Sequence, residues 1–185
     1  MKGMVFVELL QMAEELLGEE AVDGVLDRCD LSTGGAYNAV GNYPCAELMT
    51  LVQAFSSHTG AAVPELQRRF GHWMHARFVK SYPGFFTGKP DALTMFESIE
   101  DEVHVEVRKL YPDAELPRFE TERIADRALR LTYRSPRPLS DFCHGLVEAC
   151  LDHYGQPAQV VRRDLSAAGE AAGESVAEFT VRLGG

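Results

Sequence analysis

Two groups of residues have the types and spacing to do chemistry. The first is His104, inside the run Ile99-Glu100-Asp101-Glu102-Val103-His104-Val105-Glu106-Val107. Phe96, Ile99, Val103, Val107 and Leu110 recur around it at helical spacing and form an apolar stripe. At ~100° per residue, His104 stands ~40° from Glu100 and ~40° from Arg108, on the shoulder of that stripe. A neutral imidazole there can pack its ring and turn one nitrogen into an apolar cavity, which suits an axial metal ligand. The same position equally suits a half-buried histidine bonded to a carboxylate.

The second group is Tyr133, Ser135 and Arg137, spaced by two. In an extended chain that spacing turns three side chains to one face. Pro136 disfavours helix at Ser135, and Pro138 does so at Arg137, so the segment stays extended. The result is a stiff comb of a phenol, a hydroxyl and a guanidinium. The guanidinium is a planar fork for carboxylate or phosphate, and the hydroxyls add short donors. The comb's partner is either an anion with several oxygens or the chain's own acidic residues.

These groups need elements to hold them. Apolar residues at Val5, Leu9, Leu10, Met12, Ala13, Leu16 and Leu17 predict a helix over 2–17, stopped by Gly18. Further helices are expected over 20–29, 46–59 and 64–79, the last opening on Pro64. A long loop, 31–44, carries Tyr37 and Tyr43, which need something to pack against. A continuous helix over 90–111, starting near Asp91 and stopped by Pro112, carries His104. Alternation then takes over at 118–124 and 128–133, with Asp126-Arg127 as a hairpin turn. Ser140 is placed as the cap of a helix to about 154, and strands follow at 159–165 and 175–183. The last strand reads Val176, Phe179 and Val181, with a slip between them. A surface loop is expected at 167–175, rich in Ala, Gly and Glu. Helices first and strands later give an α+β fold with a four-stranded antiparallel sheet.

The whole-chain numbers set limits. A chain of 185 residues fits one domain. It is expected to divide into a helical N-terminal lobe over 1–62 and a second lobe over 63–185. A formal charge of −10 disfavours a nucleic-acid backbone or an anionic membrane as partner. No signal peptide and no run of eighteen apolar residues is visible, so a cytoplasmic, reducing setting is expected. Of the four cysteines, Cys143 and Cys150 lie on one helix face two turns apart, too far for an unstrained disulfide. His72 and His75, at i and i+3, could share a metal, but no third ligand is evident. No catalytic constellation is present: there is no GxSxG elbow and no glycine-rich phosphate loop.

The chain resembles the haem nitric-oxide/oxygen-binding (H-NOX) domains, bacterial relatives of the haem domain of soluble guanylate cyclase. The resemblance rests on the Met1-Lys2-Gly3 start, Asp101-Glu102-Val103-His104, Leu116-Pro117, and Tyr133-x-Ser135-x-Arg137 directly ahead of a helix. It covers essentially the whole chain. It implies haem b (iron protoporphyrin IX) held between the two lobes, with His104 as the proximal iron ligand. It implies that Tyr133, Ser135 and Arg137 hold the propionates and that Pro117 presses on the macrocycle.

The family's layout also implies a distal wall built from Val5, Leu9, Met74, Phe78 and Phe142, all apolar. Members that hold oxygen stably carry a tyrosine on the helix after the comb, where this chain has Phe142. Bound oxygen gains roughly 1.5–3 kcal/mol from a charge-assisted donor that nitric oxide needs far less. The expectation is a nitric oxide sensor that discriminates against oxygen and is not an enzyme. It would signal in trans, as in the family, to a histidine kinase or a cyclic-di-GMP enzyme. The rival is a haem-free α+β module for an anionic or fatty ligand, or a redox switch built on Cys143 and Cys150.

Overall fold

The computed structural model describes residues 1–165 and 173–184. Its first half is helical: α1 Gly3–Leu17, α2 Glu19–Leu26, α3 Cys45–Thr59 and α4 Val63–Ser81. A short 3-10 turn, Pro83–Phe85, leads to α5 Ala92–Ser98, a π-helical segment Ile99–Val103, and α6 His104–Leu110. Then come β1 Arg118–Ala125, β2 Ala128–Ser135, α7 Ser140–His153, β3 Ala158–Asp164 and β4 Ser175–Leu183. The four strands pair antiparallel in the order β1-β2-β4-β3. This is the expected α+β architecture, with element ends within a few residues of those read from periodicity.

Three expectations are corrected. The helix over 90–111 is not continuous. The backbone N–H of His104 bonds to Ile99 O, a π-type step that widens the turn across Glu100-Asp101-Glu102. Three adjacent carboxylates repel on a tight helix, and two of them find partners off it. Glu100 reaches the N–H of Phe119, and Glu102 pairs with Lys89. Second, β4 has no slip. Tyr133, Leu131 and Leu129 stand opposite Ala177, Phe179 and Val181 in unbroken register. The inward residue near the strand start is therefore the small Ala177, lying opposite the bulky Tyr133. Third, Ser140 does not cap α7. It is the helix's first residue, and its hydroxyl bonds to that of Ser175. The loop expected at 167–175 lies mostly outside the described residues, and Ser175 begins β4 as expected.

The core forms two clusters. One gathers α1, α2, α3 and the α4 side chains Phe70 and Met74 around the fully buried Phe6 and Leu51. The other lies between α5, the inner face of the sheet and α7, around Leu93, Leu129, Leu131 and Phe179. The long loop over 31–44 packs as its tyrosines required. Tyr37 stacks on Phe6 with ring centroids 4.6 Å apart, and Tyr43 meets the same ring edge-on at 5.4 Å. Its backbone also receives the N–H groups of Gly3 and Met4. A side chain at Gly3 would collide with Asn38 O at 1.9 Å, which explains the glycine in the opening Met-Lys-Gly.

The two clusters are joined where α4 crosses α7. The crossing is close because both helices offer glycine there. A Cβ on Gly145 would lie 2.0 Å from Arg68 O, and one on Gly71 would lie 2.4 Å from Phe142 O. Around the crossing, Glu148 of α7 accepts from the Arg68 and His72 side chains of α4. Glu8 of α1, itself buried, accepts from Trp73 Nε1 at 2.9 Å and Arg77 Nε at 2.9 Å. In an unconstrained helix Gly→Ala gains up to about 1 kcal/mol. At this crossing the added methyl forces the backbones apart, at about 1–3 kcal/mol. Gly145→Ala is therefore expected to lower the thermal midpoint. A raised midpoint would show that the helices are free to separate.

Candidate functional site

A cavity of about 570 Å³ opens between the α1, α4 and α7 side chains and those of α5, α6, β1 and β2. That is a size typical of small-molecule and cofactor sites. His104, Tyr133, Ser135, Arg137 and Pro117 all line it, and so do Val5, Met74, Phe78 and Phe142. Two groups thirty residues apart in sequence thus share one enclosure. Leu9 is the exception. It lies one turn beyond Val5 on α1 and is buried in the N-terminal core, outside the cavity lining.

His104 is the first residue of α6 and is 8% exposed. Its Nδ1 lies 3.0 Å from Glu100 Oε2, one turn back across the π segment. Glu100 is itself held by Arg108 Nη2 at 2.9 Å and by the Phe119 N–H at 3.1 Å. Burial pushes the Glu100 carboxyl up, but Arg108, Phe119 and His104 together hold it below the usual carboxylate range. An ionised Glu100 only accepts, so Nδ1 carries the proton and Nε2 keeps its lone pair. Burial also lowers the His104 pKa, outweighing the opposing pull of Glu100. The imidazole is therefore neutral, in the tautomer a metal ligand needs.

The comb sits at the exit of β2. Tyr133 and Ser135 fall on the strand's inward face, 4% and 3% exposed. Burial raises the Tyr133 pKa to about 12, so the phenol stays a donor. Ser135 Oγ accepts the Arg137 N–H at 3.1 Å, which fixes the turn between the two prolines. The Arg137 guanidinium holds Glu115, donating to its carbonyl at 2.6 Å and to its carboxylate. The Arg137 side chain is 10% exposed and that of Glu115 is 77% exposed. Arg137 therefore already binds a carboxylate, that of the exposed Glu115.

The wall opposite is not wholly apolar. His75, 7% exposed, lines the cavity beside Met74 and Phe78. Its ring packs edge-on against Phe86 at 5.4 Å and lies 5.6 Å from the His153 ring, and its Nε2 is enclosed with no hydrogen-bond partner. Sequence reasoning missed it by reading His72 and His75 together as a solvated helix face, with a shared metal as the lesser alternative. His72 instead points outward to Glu148, so the two do not converge. Among the described residues no group of three or more His, Cys, Asp or Glu side chains could hold a metal. Tyr82 also lines the cavity, whereas Tyr37 and Tyr43 belong to the N-terminal core. Cys143 and Cys150 line it too, with burial pushing both thiols up, Cys150 to about 12. Protonated thiols are poor nucleophiles.

This combination of fold and cavity defines a class, and comparison with known proteins identifies it. The family model described as Haem-NO-binding matches residues 2–162. The chain is similar to the A71G mutant of the H-NOX protein from K. algicida, in the Fe(II) unliganded state. Identity is 33% and the TM-score 0.89, covering 100% of this chain and 97% of that one. It is 32% identical to the IWP-051-bound H-NOX from Shewanella woodyi in the Fe(II)CO state, with a TM-score of 0.80 and coverage of 98% and 94%. The S. oneidensis H-NOX protein in the Fe(II)NO state shares the fold at 22% identity, with a TM-score of 0.86 and full coverage of both chains. No match was found among curated proteins. The chain belongs to the haem-NO-binding, H-NOX, family, whose domains are haem-based gas sensors.

His75 gives the fold a pH dependence. Burial, with His153 and His72 adding to it, lowers its pKa from the ordinary 6.5 to about 4. Between those values the unfolded chain binds more protons than the folded one. Stability is therefore lost as pH falls from about 6.5 towards 4, and is fully present above that window. The loss attributable to His75 is on the order of 3 kcal/mol. Urea unfolding of His75→Leu at pH 7 and pH 4.5 is expected to show a clearly smaller difference than the parent. An equal difference would place the acid sensitivity elsewhere.

Proposed function

We propose that this chain is a haem b nitric oxide sensor that discriminates against oxygen. The observation that carries the reading is one enclosure holding both a free imidazole nitrogen and a comb that binds carboxylates. Haem supplies an iron that takes a diatomic gas, and a macrocycle with two acidic arms. His104 Nε2 would be the iron ligand. Tyr133, Ser135 and Arg137 would hold the propionates in place of the Glu115 carboxylate. Pro117 would bear on the macrocycle, and Val5, Met74, Phe78 and Phe142 would line the space for the gas.

The bias against oxygen rests on Phe142, which lines the cavity on the helix after the comb and has no hydroxyl to offer. Without a donor, oxygen forgoes roughly 1.5–3 kcal/mol, a ten-fold to hundred-fold loss of affinity. The chain acts as a sensor, not a catalyst, in a cytoplasmic setting. Among the described residues no helix is long and apolar enough to cross a membrane. The two lobes, 1–62 and 63–185, move against one another when the strain at His104 changes. The signal passes in trans to a histidine kinase or a cyclic-di-GMP enzyme.

Absorption spectra test the reading. The ferrous protein is expected to show a Soret band that shifts when nitric oxide is added. It should form no stable oxygen complex in air, and one that persisted would refute the discrimination. His104→Ala should lose haem unless imidazole is supplied. Arg137→Ala should release haem to an acceptor protein faster, with little change in spectrum.

A further inference from the structure

The π segment does more than interrupt a helix. It sets Glu100 one turn behind His104, with its Oε2 3.0 Å from Nδ1. The carboxylate is held from two further sides, by Arg108 Nη2 at 2.9 Å and by the Phe119 N–H at 3.1 Å. The imidazole meets Phe119 across 5.7 Å, and Phe119 meets Tyr133 of the comb at the same centroid distance. The Glu100 side chain is 31% exposed and that of His104 is 10% exposed, so the pair is partly shielded from water. A structural ion pair would explain none of the asymmetry. Glu100 commits one oxygen to His104 and shares that oxygen with a strand amide, while its other oxygen faces a cation on the solvent side.

We propose that Glu100 is a positioning residue: its carboxylate draws on the His104 Nδ1 proton, raises the donor strength of Nε2, and so sets how firmly His104 holds the iron. This rests on the haem reading above. A full negative charge on Nδ1's partner gives the ring partial imidazolate character, and the other nitrogen then donates more strongly. Arg108 tempers this by sharing the charge. The pair works as a graded control, with Glu100 strengthening the axial bond and Arg108 relaxing it. Phe119 links that control to β1, so the strand beside the comb helps fix the geometry. The threshold at which gas binding frees His104 then depends on residues that touch neither iron nor gas. With or without a metal on Nε2, the Nδ1 proton would stay shared with Glu100.

Two substitutions separate this role from mere support, because they act in opposite directions. Glu100→Gln keeps the shape but removes the charge. The Fe–His104 stretching band of the ferrous protein, read by resonance Raman, is expected to fall. On adding nitric oxide, the balance between the histidine-free and histidine-bound forms should move about five-fold towards the free form. Arg108→Ala frees the carboxylate, so the band should rise and the balance move the other way. Structural damage would shift both variants alike, and that outcome overturns the proposal. So does a band unmoved in both. Should Glu100→Gln fail to fold, the upward shift in Arg108→Ala decides alone. A parent chain with no Soret band sinks the haem reading and this role with it. A normal Soret band with an unresponsive stretch sinks this role only.

Discussion

The fold is governed by the need to keep a large cavity open inside a small protein. A cavity of about 570 Å³ needs walls held in place by packing and hydrogen bonds behind them. The bracing is visible. Gly71 and Gly145 let α4 and α7 lock together behind the cavity, and Glu8 ties α1 to α4 through Trp73 and Arg77. Polar groups on the lining include the His104–Glu100 pair and the comb, where Arg137 is held by Glu115 and Ser135.

Much of this was legible in the sequence, for reasons that can be named. Tyr133 and Ser135 could be read because period-two spacing fixes side-chain direction on a strand. The two prolines predict an extended chain through Arg137, but it instead bends after Ser135, where Ser135 Oγ accepts the Arg137 N–H. The helices could be read because their stripes bury one face, and Asp91 caps α5 as expected, accepting the Thr94 N–H at 2.7 Å. What failed depended on tertiary context. Nothing local separates His75 from His72 as the buried member, because the cover comes from Phe86 and from His153 on α7. Leu9 matched Val5 in period, but one turn along α1 was enough to carry it from the cavity into the core. Ala177 was passed over because a small residue gives little signal, although it stands opposite Tyr133. The π step was hidden because its cause, the pull of Phe119 and Lys89 on neighbouring carboxylates, lies outside the segment.

The loop between α6 and β1 bears on how a change at His104 could leave the cavity. Asp113 accepts from Lys2 Nζ at 3.0 Å and from Asn42 at 2.6 Å, so it is bound to both the start of the chain and the loop over 31–44. Those bonds hold the Asp113 carboxyl below its ordinary range. Lys2 also lies over the Tyr111 ring at 5.2 Å. Two residues on, Glu115 closes on Arg137, and Pro117 lines the cavity. A segment this short cannot follow α6 at one end and remain still at the other. Any displacement of α6 must therefore either stretch the Asp113 bonds or carry Lys2 and Asn42 with it. The exposed Asp113 contacts are individually weak. Their worth is geometric, since they are direct side-chain bonds from just beyond the His104 helix to Lys2 and to the loop carrying Asn42. The surface around Lys2, Asn42 and Asp113 is accordingly where motion of that helix would first become visible from outside.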